Sequence, residues 1–408
     1  MRDNNDLSPV ISGIGITTAI GQGRTAVTEA LLKGDSAFGV MQRPGRQQAS
    51  SFLGAEIGGI SFSQRLSKKL LRAASFTGMI AMTTLDEAWQ DAGLDQADPD
   101  RIGLIIGGSN IQQRDIYQTY SKYAHRPEAI TPTYAISFMD NDLCGLCTEQ
   151  FGIKGPAYTI GAASASGQIA IIQAIHAVRS GVVDICIAIG ALMDLSCLEL
   201  QAFKSLGVMG SARFASAPSE ACRPYDRDRD GFIFGESCGA VVIETARTAN
   251  LRSIQPRALV SGWSISMDAN RNPNPSYDGE CKVIRQALKS SGIDSMEIDY
   301  INPHASGSII GDETELRAIR DCKLSHSYIN TTKSILGHGL TAAGAVEVIV
   351  TLLQMEAGAL HPCLNLVHPI SPELKMVTGG PMKHEVQKAL CLSFGFGGTN
   401  SALVLERT

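Results

Sequence analysis

Tyr158-Thr159-Ile160-Gly161-Ala162-Ala163-Ser164-Ala165-Ser166-Gly167 is the stretch on which the reading of this chain turns. Three β-prone residues give way to a run of small ones, and the apolar-periodic segment Ile169 to Val178 follows. That pattern predicts strand, tight elbow, helix. Such an elbow sets one side chain at a helix N-terminus, where unpaired backbone N–H groups and the helix dipole favour negative charge. Ser164 holds that position, and a nucleophile or an oxyanion fits there.

Outward from the elbow, the strand-like runs Arg101 to Ile106, Asp184 to Ile189 and Ala240 to Ile243 alternate with helical patterns, the signature of α/β layering. A second series begins near Ala258-Leu259-Val260 and passes through Asp299-Tyr300-Ile301 to Ala402-Leu403-Val404-Leu405. Gly235-Glu236-Ser237-Cys238-Gly239-Ala240-Val241-Val242 resembles Gly395-Phe396-Gly397-Gly398-Thr399-Asn400-Ser401-Ala402-Leu403-Val404 as a Gly-rich turn feeding an apolar strand. This faint repeat predicts two similar halves, 1–248 and 256–408, joined by the polar connection Thr248 to Gln255. Gly13-Ile14-Gly15 lacks the third glycine of a dinucleotide fingerprint and reads as a tight turn.

A chain of 408 residues can bury a large core, and 44% hydrophobic with 18% charged residues is the composition of a globular protein. Lys and Arg number 35 against 40 Asp and Glu, so the net charge of −5 gives no sign of a nucleic-acid partner. The polar start, Met1-Arg2-Asp3-Asn4-Asn5-Asp6, lacks the apolar stretch of a secretory signal, and a cytoplasmic location is expected. Ala342 to Leu360 is the most apolar helical segment, but Glu347, Gln354 and Glu356 interrupt it; it reads as a core helix, with no membrane span. Ten cysteines show no zinc-ligand array, and Cys144-Gly145-Leu146-Cys147 reads as helix core rather than a redox pair. No metal site is expected.

The elbow is similar to the active-site segment of β-ketoacyl-acyl-carrier-protein synthases of the thiolase superfamily, whose pattern is T-A-C-x-S-G; Ser164 stands where that family has cysteine. Asn302-Pro303-His304-Ala305-Ser306-Gly307-Ser308, Thr332-Lys333-Ser334-Ile335-Leu336-Gly337-His338 and Ser393-Phe394-Gly395-Phe396-Gly397-Gly398-Thr399-Asn400 match further motifs in the family's order. With Arg223-Pro224-Tyr225-Asp226-Arg227-Asp228-Arg229-Asp230-Gly231-Phe232, the resemblance spans nearly the whole chain. It implies a duplicated thiolase-like fold, a five-layered αβαβα sandwich, and a homodimer formed beside the nucleophile strand.

His304 and His338 lie in short Gly/Ser-rich segments after strand-like or loop-like stretches, where an α/β scaffold exposes side chains to a pocket. Two neutral imidazoles can donate hydrogen bonds to a thioester oxygen as it gains enolate charge. The resemblance assigns these two that role in removing carbon dioxide from a malonyl group. It also implies a supporting Lys333 with Glu315 as its partner, a Phe396 backbone N–H that completes an oxyanion hole, and Ser306 and Ser308 against the pantetheine amides. Ala305 takes the place of a family glycine, a departure that bears on the path of that loop. The family's acyl carrier protein is acidic, and Arg65, Lys68 and Lys69 in Gln64 to Arg72 are the candidate docking residues.

A serine hydroxyl needs a positioned base where a thiol forms thiolate readily, so self-acylation and condensation should be impaired. Decarboxylation needs only the histidine donors. The combination resembles ketosynthase-like malonyl-carrier-protein decarboxylases of polyketide β-branching cassettes, which carry serine at the elbow and supply acetyl units to a hydroxymethylglutaryl-type synthase. No cofactor is expected beyond the phosphopantetheine arm of the carrier. A serine-dependent acyl transferase or condensing synthase, and a non-catalytic subunit like the chain-length factors, remain as alternatives. Retention of both histidines weighs against the last.

Overall fold

The computed structural model describes residues 6–47 and 51–408. The principal elements of the first half are β1 (Pro9–Thr18), α1 (Lys68–Ala73), α2 (Phe76–Asp91), β2 (Ile102–Gly107), α3 (Asp142–Phe151), β3 (Ala157–Ile160), α4 (Ser166–Arg179), β4 (Ile185–Gly190) and β5 (Ser237–Thr245). Those of the second are β6 (Ala258–Met267), α5 (Tyr277–Ser291), β7 (Tyr300–Asn302), α6 (Ile309–Asp321), β8 (Tyr328–Ile329), α7 (Ala343–Ala357), β9 (Lys388–Gly395) and β10 (Thr399–Arg407).

The two series of strands pair in the same way. In the first, β1 runs antiparallel to β5 and β5 to β4, while β2 and β3 continue the sheet in parallel. In the second, β6 runs antiparallel to β10 and β10 to β9, with β7 and β8 parallel beyond. A short antiparallel contact, Val10 opposite Leu259 and Ile11 opposite Ala258, joins both series into one hydrogen-bonded sheet. Even the irregularities repeat: the ladder shifts register between Ile11 and Gly13 in β1 and between Val260 and Gly262 in β6.

Side chains alternate across the strands and both faces are buried. Val241 and Ile243 of β5 pack with Ile171 and Ile175 of α4 and Val346 and Ile349 of α7, whereas Ala240 and Val242 pack with Ile80 and Leu85 of α2. Leu403 and Leu405 of β10 likewise join the α4/α7 core, while Ala402 and Val404 meet Ile284 of α5 and Ile319 of α6. The result is five layers: α2 and α3, sheet, α4 and α7, sheet, α5 and α6. A side chain at Gly167 would come within 2.8 Å of Ala345 N, and one at Gly344 within 2.8 Å of the Gln168 Cβ, so glycines let the two central helices meet.

The turn expected at Gly13-Ile14-Gly15 does not exist; the segment lies inside β1. Its glycines serve close approach instead, because a Cβ on Gly13 would sit 2.6 Å from the Ala92 Cβ and one on Gly15 2.0 Å from the Thr84 carbonyl. Gly262 occupies the corresponding place in β6, where a Cβ would lie 2.4 Å from the Ala287 carbonyl of α5. α7 is buried along nearly its whole length, as the carboxylate-interrupted segment suggested. The stretch long and apolar enough to cross a membrane, Leu340–Ala357, is 89% buried inside the protein. Cys144 and Cys147 lie buried on α3, where burial pushes both thiols up.

Candidate active site

β3 ends at Ile160, and a 3₁₀ turn over Ala163–Ala165 leads into α4, so strand, elbow and helix follow one another as the small-residue run predicts. Ala163 takes a left-handed backbone, φ 47°, a conformation that costs a non-glycine residue on the order of 1–3 kcal/mol. The Ser166 hydroxyl holds the elbow, donating to the Ala163 carbonyl at 2.7 Å and accepting the Ala162 N–H at 2.8 Å. From the second half, the Ser393 hydroxyl donates to the Ser164 carbonyl at 3.3 Å, and Gly395 packs so closely that a Cβ there would lie 2.4 Å from the Ala162 carbonyl. Ser164 itself is buried but borders the cavity.

His304 follows β7. Its backbone N–H donates to Glu315 Oε1 at 2.6 Å, and the N–H of Ala305 donates to Oε2 at 2.8 Å. One turn earlier on α6, Asp312 accepts the Gly307 N–H at 3.0 Å, so two buried carboxylates on one helix face fix the whole loop. Tyr225 completes the cradle, its hydroxyl donating to Glu315 Oε2 at 2.7 Å and its N–H to Asp312 Oδ2 at 2.8 Å. Ala305 is held at φ 37°, a left-handed conformation that glycine adopts more readily, and its N–H is tied to Glu315.

Lys333 does not pair with Glu315. Its ammonium bonds Glu347 of α7 and the carbonyl of His304, while Glu315 is fully engaged by the 304–305 backbone and Tyr225. Lys333 and Glu347 are each 2% exposed, so each neutralises a charge that could not otherwise be buried.

His338 follows Gly337, whose φ of 76° and contact with Gly235 leave no room for a Cβ. The N–H of Leu340 donates to His338 Nδ1 at 3.2 Å, which assigns the ring proton to Nε2, and Nε2 lies 3.0 Å from the Ser164 hydroxyl oxygen. The His304 and His338 rings are 5.4 Å apart between centroids and nearly perpendicular at 82°. Burial, then the Lys333 ammonium, holds both imidazoles well below the usual histidine range, and His338 adds to the effect on His304. Both are neutral at pH 7.

Ser164, His304, His338, Ser306, Ser308 and Phe396 all line one cavity of about 340 Å³. Ser306 donates to the Ser308 hydroxyl at 3.1 Å, and Phe396 is 39% exposed beside the opening between the two halves. Arg65, Lys68 and Lys69 lie outside this lining, on and before α1. Arg65 is engaged by Asp95 at 2.6 Å and Asp86 at 3.1 Å, while Lys68 and Lys69 are exposed.

Residues 9–249 match the β-ketoacyl synthase N-terminal domain and residues 257–367 its C-terminal domain. The chain is 55% identical over 397 residues to the polyketide biosynthesis malonyl-ACP decarboxylase PksF of Bacillus subtilis (strain 168), covering 97% of this chain and 96% of that protein. It is 32% identical over 415 residues to the 3-oxoacyl-[acyl-carrier-protein] synthase 2 of Rhizobium meliloti (strain 1021), covering 98% of both. The crystal structure of a β-ketoacyl synthase from Burkholderia phymatum STM815 superposes with a TM-score of 0.88 at 25% identity, over 98% of this chain and 99% of that one. Paired histidines on a duplicated five-layered scaffold, with both family domains matched in order, make this chain a member of the β-ketoacyl synthase family.

Proposed function

We propose that this protein decarboxylates malonyl-acyl carrier protein to acetyl-acyl carrier protein. The observation that carries the reading is the Leu340 N–H on His338 Nδ1: it puts the ring proton on Nε2, so the ring gives the Ser164 hydroxyl a hydrogen bond and is not free to take its proton. A serine without a base is a poor nucleophile, whereas an Nε2–H is the donor that a developing enolate oxygen needs. The 55% identity to PksF points the same way. The chemistry is loss of carbon dioxide from the malonyl carboxylate, the C–C electron pair passing to C2 and the thioester oxygen as an enolate, and protonation of C2 by solvent water to give the acetyl thioester.

In this reading the malonyl group arrives on a phosphopantetheine arm, with Ser306 and Ser308 bonding its amides and the backbone N–H groups of Ser164 and Phe396 forming an oxyanion hole. Lys68 and Lys69 attract the acidic carrier, with Arg65 beside them. A homodimer is supported by β3, the outermost strand on its side of the sheet, where Tyr158 is 43% exposed. The halves divide as 1–248 and 256–408. The acetyl product passes to a hydroxymethylglutaryl-type synthase acting in polyketide β-branching, in the cytoplasm.

Mass spectrometry of malonyl-loaded carrier protein incubated with the enzyme tests the reaction. Acetyl-carrier protein should accumulate without any acyl primer. An unchanged malonyl carrier, or a β-ketoacyl product when a primer is supplied, would reject the reading.

A further inference from the structure

Behind His304 lies a second, smaller cavity of about 70 Å³, large enough for water. His304, Ser306, Ser308, Phe394 and Phe396 line both cavities, so the two adjoin. Among the acids that line the smaller one, Asp312 and Glu315 accept backbone N–H groups and Asp268 accepts the Asn400 amide at 2.8 Å. Glu280 differs. It stands in the first turn of α5, 1% exposed, and its Oε2 is buried with no hydrogen-bond partner among the described residues. Among the described residues that line this cavity, His304 has the other buried side-chain polar atom without a partner, its Nδ1.

The two histidines face the same requirement. To donate from Nε2, each ring must accept a hydrogen bond, or at least carry no proton, at Nδ1. His338 receives the Leu340 N–H there, but His304 receives nothing within hydrogen-bond reach from the described residues. A protonated carboxyl is a donor, an ionised one is not. Burial and the carboxylates of Glu315 and Asp268, with the Cys281 thiol adding to them, hold Glu280 well above the usual carboxylate range, in the neutral form. Lys333, which reaches the His304 carbonyl, is committed there and to Glu347.

We propose that Glu280 is a positioning residue whose carboxyl O–H reaches His304 Nδ1 through water in the smaller cavity and thereby keeps the His304 proton on Nε2. Glu280 touches neither substrate nor reacting atoms; it acts through the imidazole. An unpartnered buried carboxyl destabilises the fold, so its place at this one cavity has a functional reason rather than a structural one.

The inference rests on the decarboxylase reading for its consequence, but not for its test. ¹⁵N NMR of histidine-labelled enzyme without substrate reports the His304 tautomer directly, with the His304 signals assigned by their loss in His304→Ala. Glu280→Leu should move His304 away from the pure Nε2–H pattern, lower kcat for malonyl-carrier protein by about tenfold, the equivalent of one hydrogen bond, and leave KM in place. It should also raise the melting temperature, which separates the effect from misfolding. Glu280→Gln keeps an N–H donor and should rescue both the tautomer and the rate. An unchanged His304 signature in Glu280→Leu, or a Glu280→Gln variant as impaired as Glu280→Leu, would overturn the proposal. A wild-type enzyme inert towards malonyl-carrier protein would instead count against the decarboxylase reading, while the His304 tautomer in the Glu280 variants would still decide the role of Glu280.

Discussion

The Ser164 hydroxyl oxygen lies 3.0 Å from Nε2 of His338, and the Leu340 N–H on Nδ1 makes His338 the donor of that hydrogen bond. A nucleophilic serine needs the reverse arrangement, with a bare ring nitrogen to receive its proton. Ser164 therefore occupies the elbow of a condensing enzyme without the acid–base partner that would activate it. Ser164→Ala should keep decarboxylation within about tenfold of wild type, since it removes no donor that the enolate uses. Intact-mass measurement during turnover should find no acyl group on the wild-type protein. Ser164→Cys places a thiol at the N-terminus of α4, where its thiolate is favoured, and should take up an acyl label. An acyl-Ser164 adduct together with an inactive Ser164→Ala would establish acyl transfer instead.

The two histidines are the groups on which the rate depends. Removing an oxyanion donor costs about a hundredfold or more in kcat. His304→Ala and His338→Ala should each show that loss, with KM for malonyl-carrier protein little changed because the interaction strengthens only as charge develops. Steady-state kinetics on the two variants decide it; either variant at wild-type turnover would place the enolate elsewhere.

Ser164, His304, His338, Ser306 and Ser308 were legible in the sequence because each sits in a short motif whose members lie next to one another in the chain. All five line one cavity. The Lys333 partner was not legible. Two buried carboxylates lay within reach in sequence, Glu315 and Glu347, and spacing alone does not say which one a lysine meets after folding. Gly13 and Gly15 show the same limit: a glycine needed for a turn and a glycine needed for close helix approach look alike until the helix is in place. Asp312 and Glu280 act on the site through contacts that only the folded chain makes, and no local pattern marks them; Tyr225 lies in a matched motif and Leu340 two residues after His338, but neither motif nor spacing tells which polar atoms they bind.

Buried neutral histidines also set how stability responds to acid. His304 and His338 are held well below the usual range by burial and by Lys333, and burial lowers His361 to about 4. The unfolded chain takes up these protons near pH 6.5 and the native state does not. The histidines' contribution to stability is thus complete above pH 6.5 and falls as pH drops towards the native values. His361 alone accounts for about 3 kcal/mol of that loss by pH 4, because each tenfold difference in proton affinity between the folded and unfolded chain is worth about 1.4 kcal/mol. Burial raises Asp312 and Glu347 to about 7, which works in the opposite sense, so the histidine share is read by difference: from pH 7.5 to 4.5 the melting temperature of wild type should lose ground relative to that of His361→Gln, while kcat, which needs the neutral rings, stays flat from pH 6.5 to 8. A rate that titrates near pH 6.5 with a histidine pKa would contradict the assignment.

Carrier docking separates into residues that are free to meet a partner and one that is not. Arg65 is bound by Asp86 and Asp95, so a glutamate at 65 would face two carboxylates and weaken the fold itself. Lys68 and Lys69 are exposed in the first turn of α1, and their reversal alone tests the surface. Exposed charge pairs contribute less than about 1 kcal/mol each, so Lys68→Glu/Lys69→Glu should raise KM for malonyl-carrier protein by roughly tenfold at low salt. The difference should shrink as salt screens the long-range attraction. Malonyl-pantetheine, which brings no acidic protein, should lose far less. Equal losses on both substrates, or an unchanged KM for the carrier at low salt, would move the docking face away from α1.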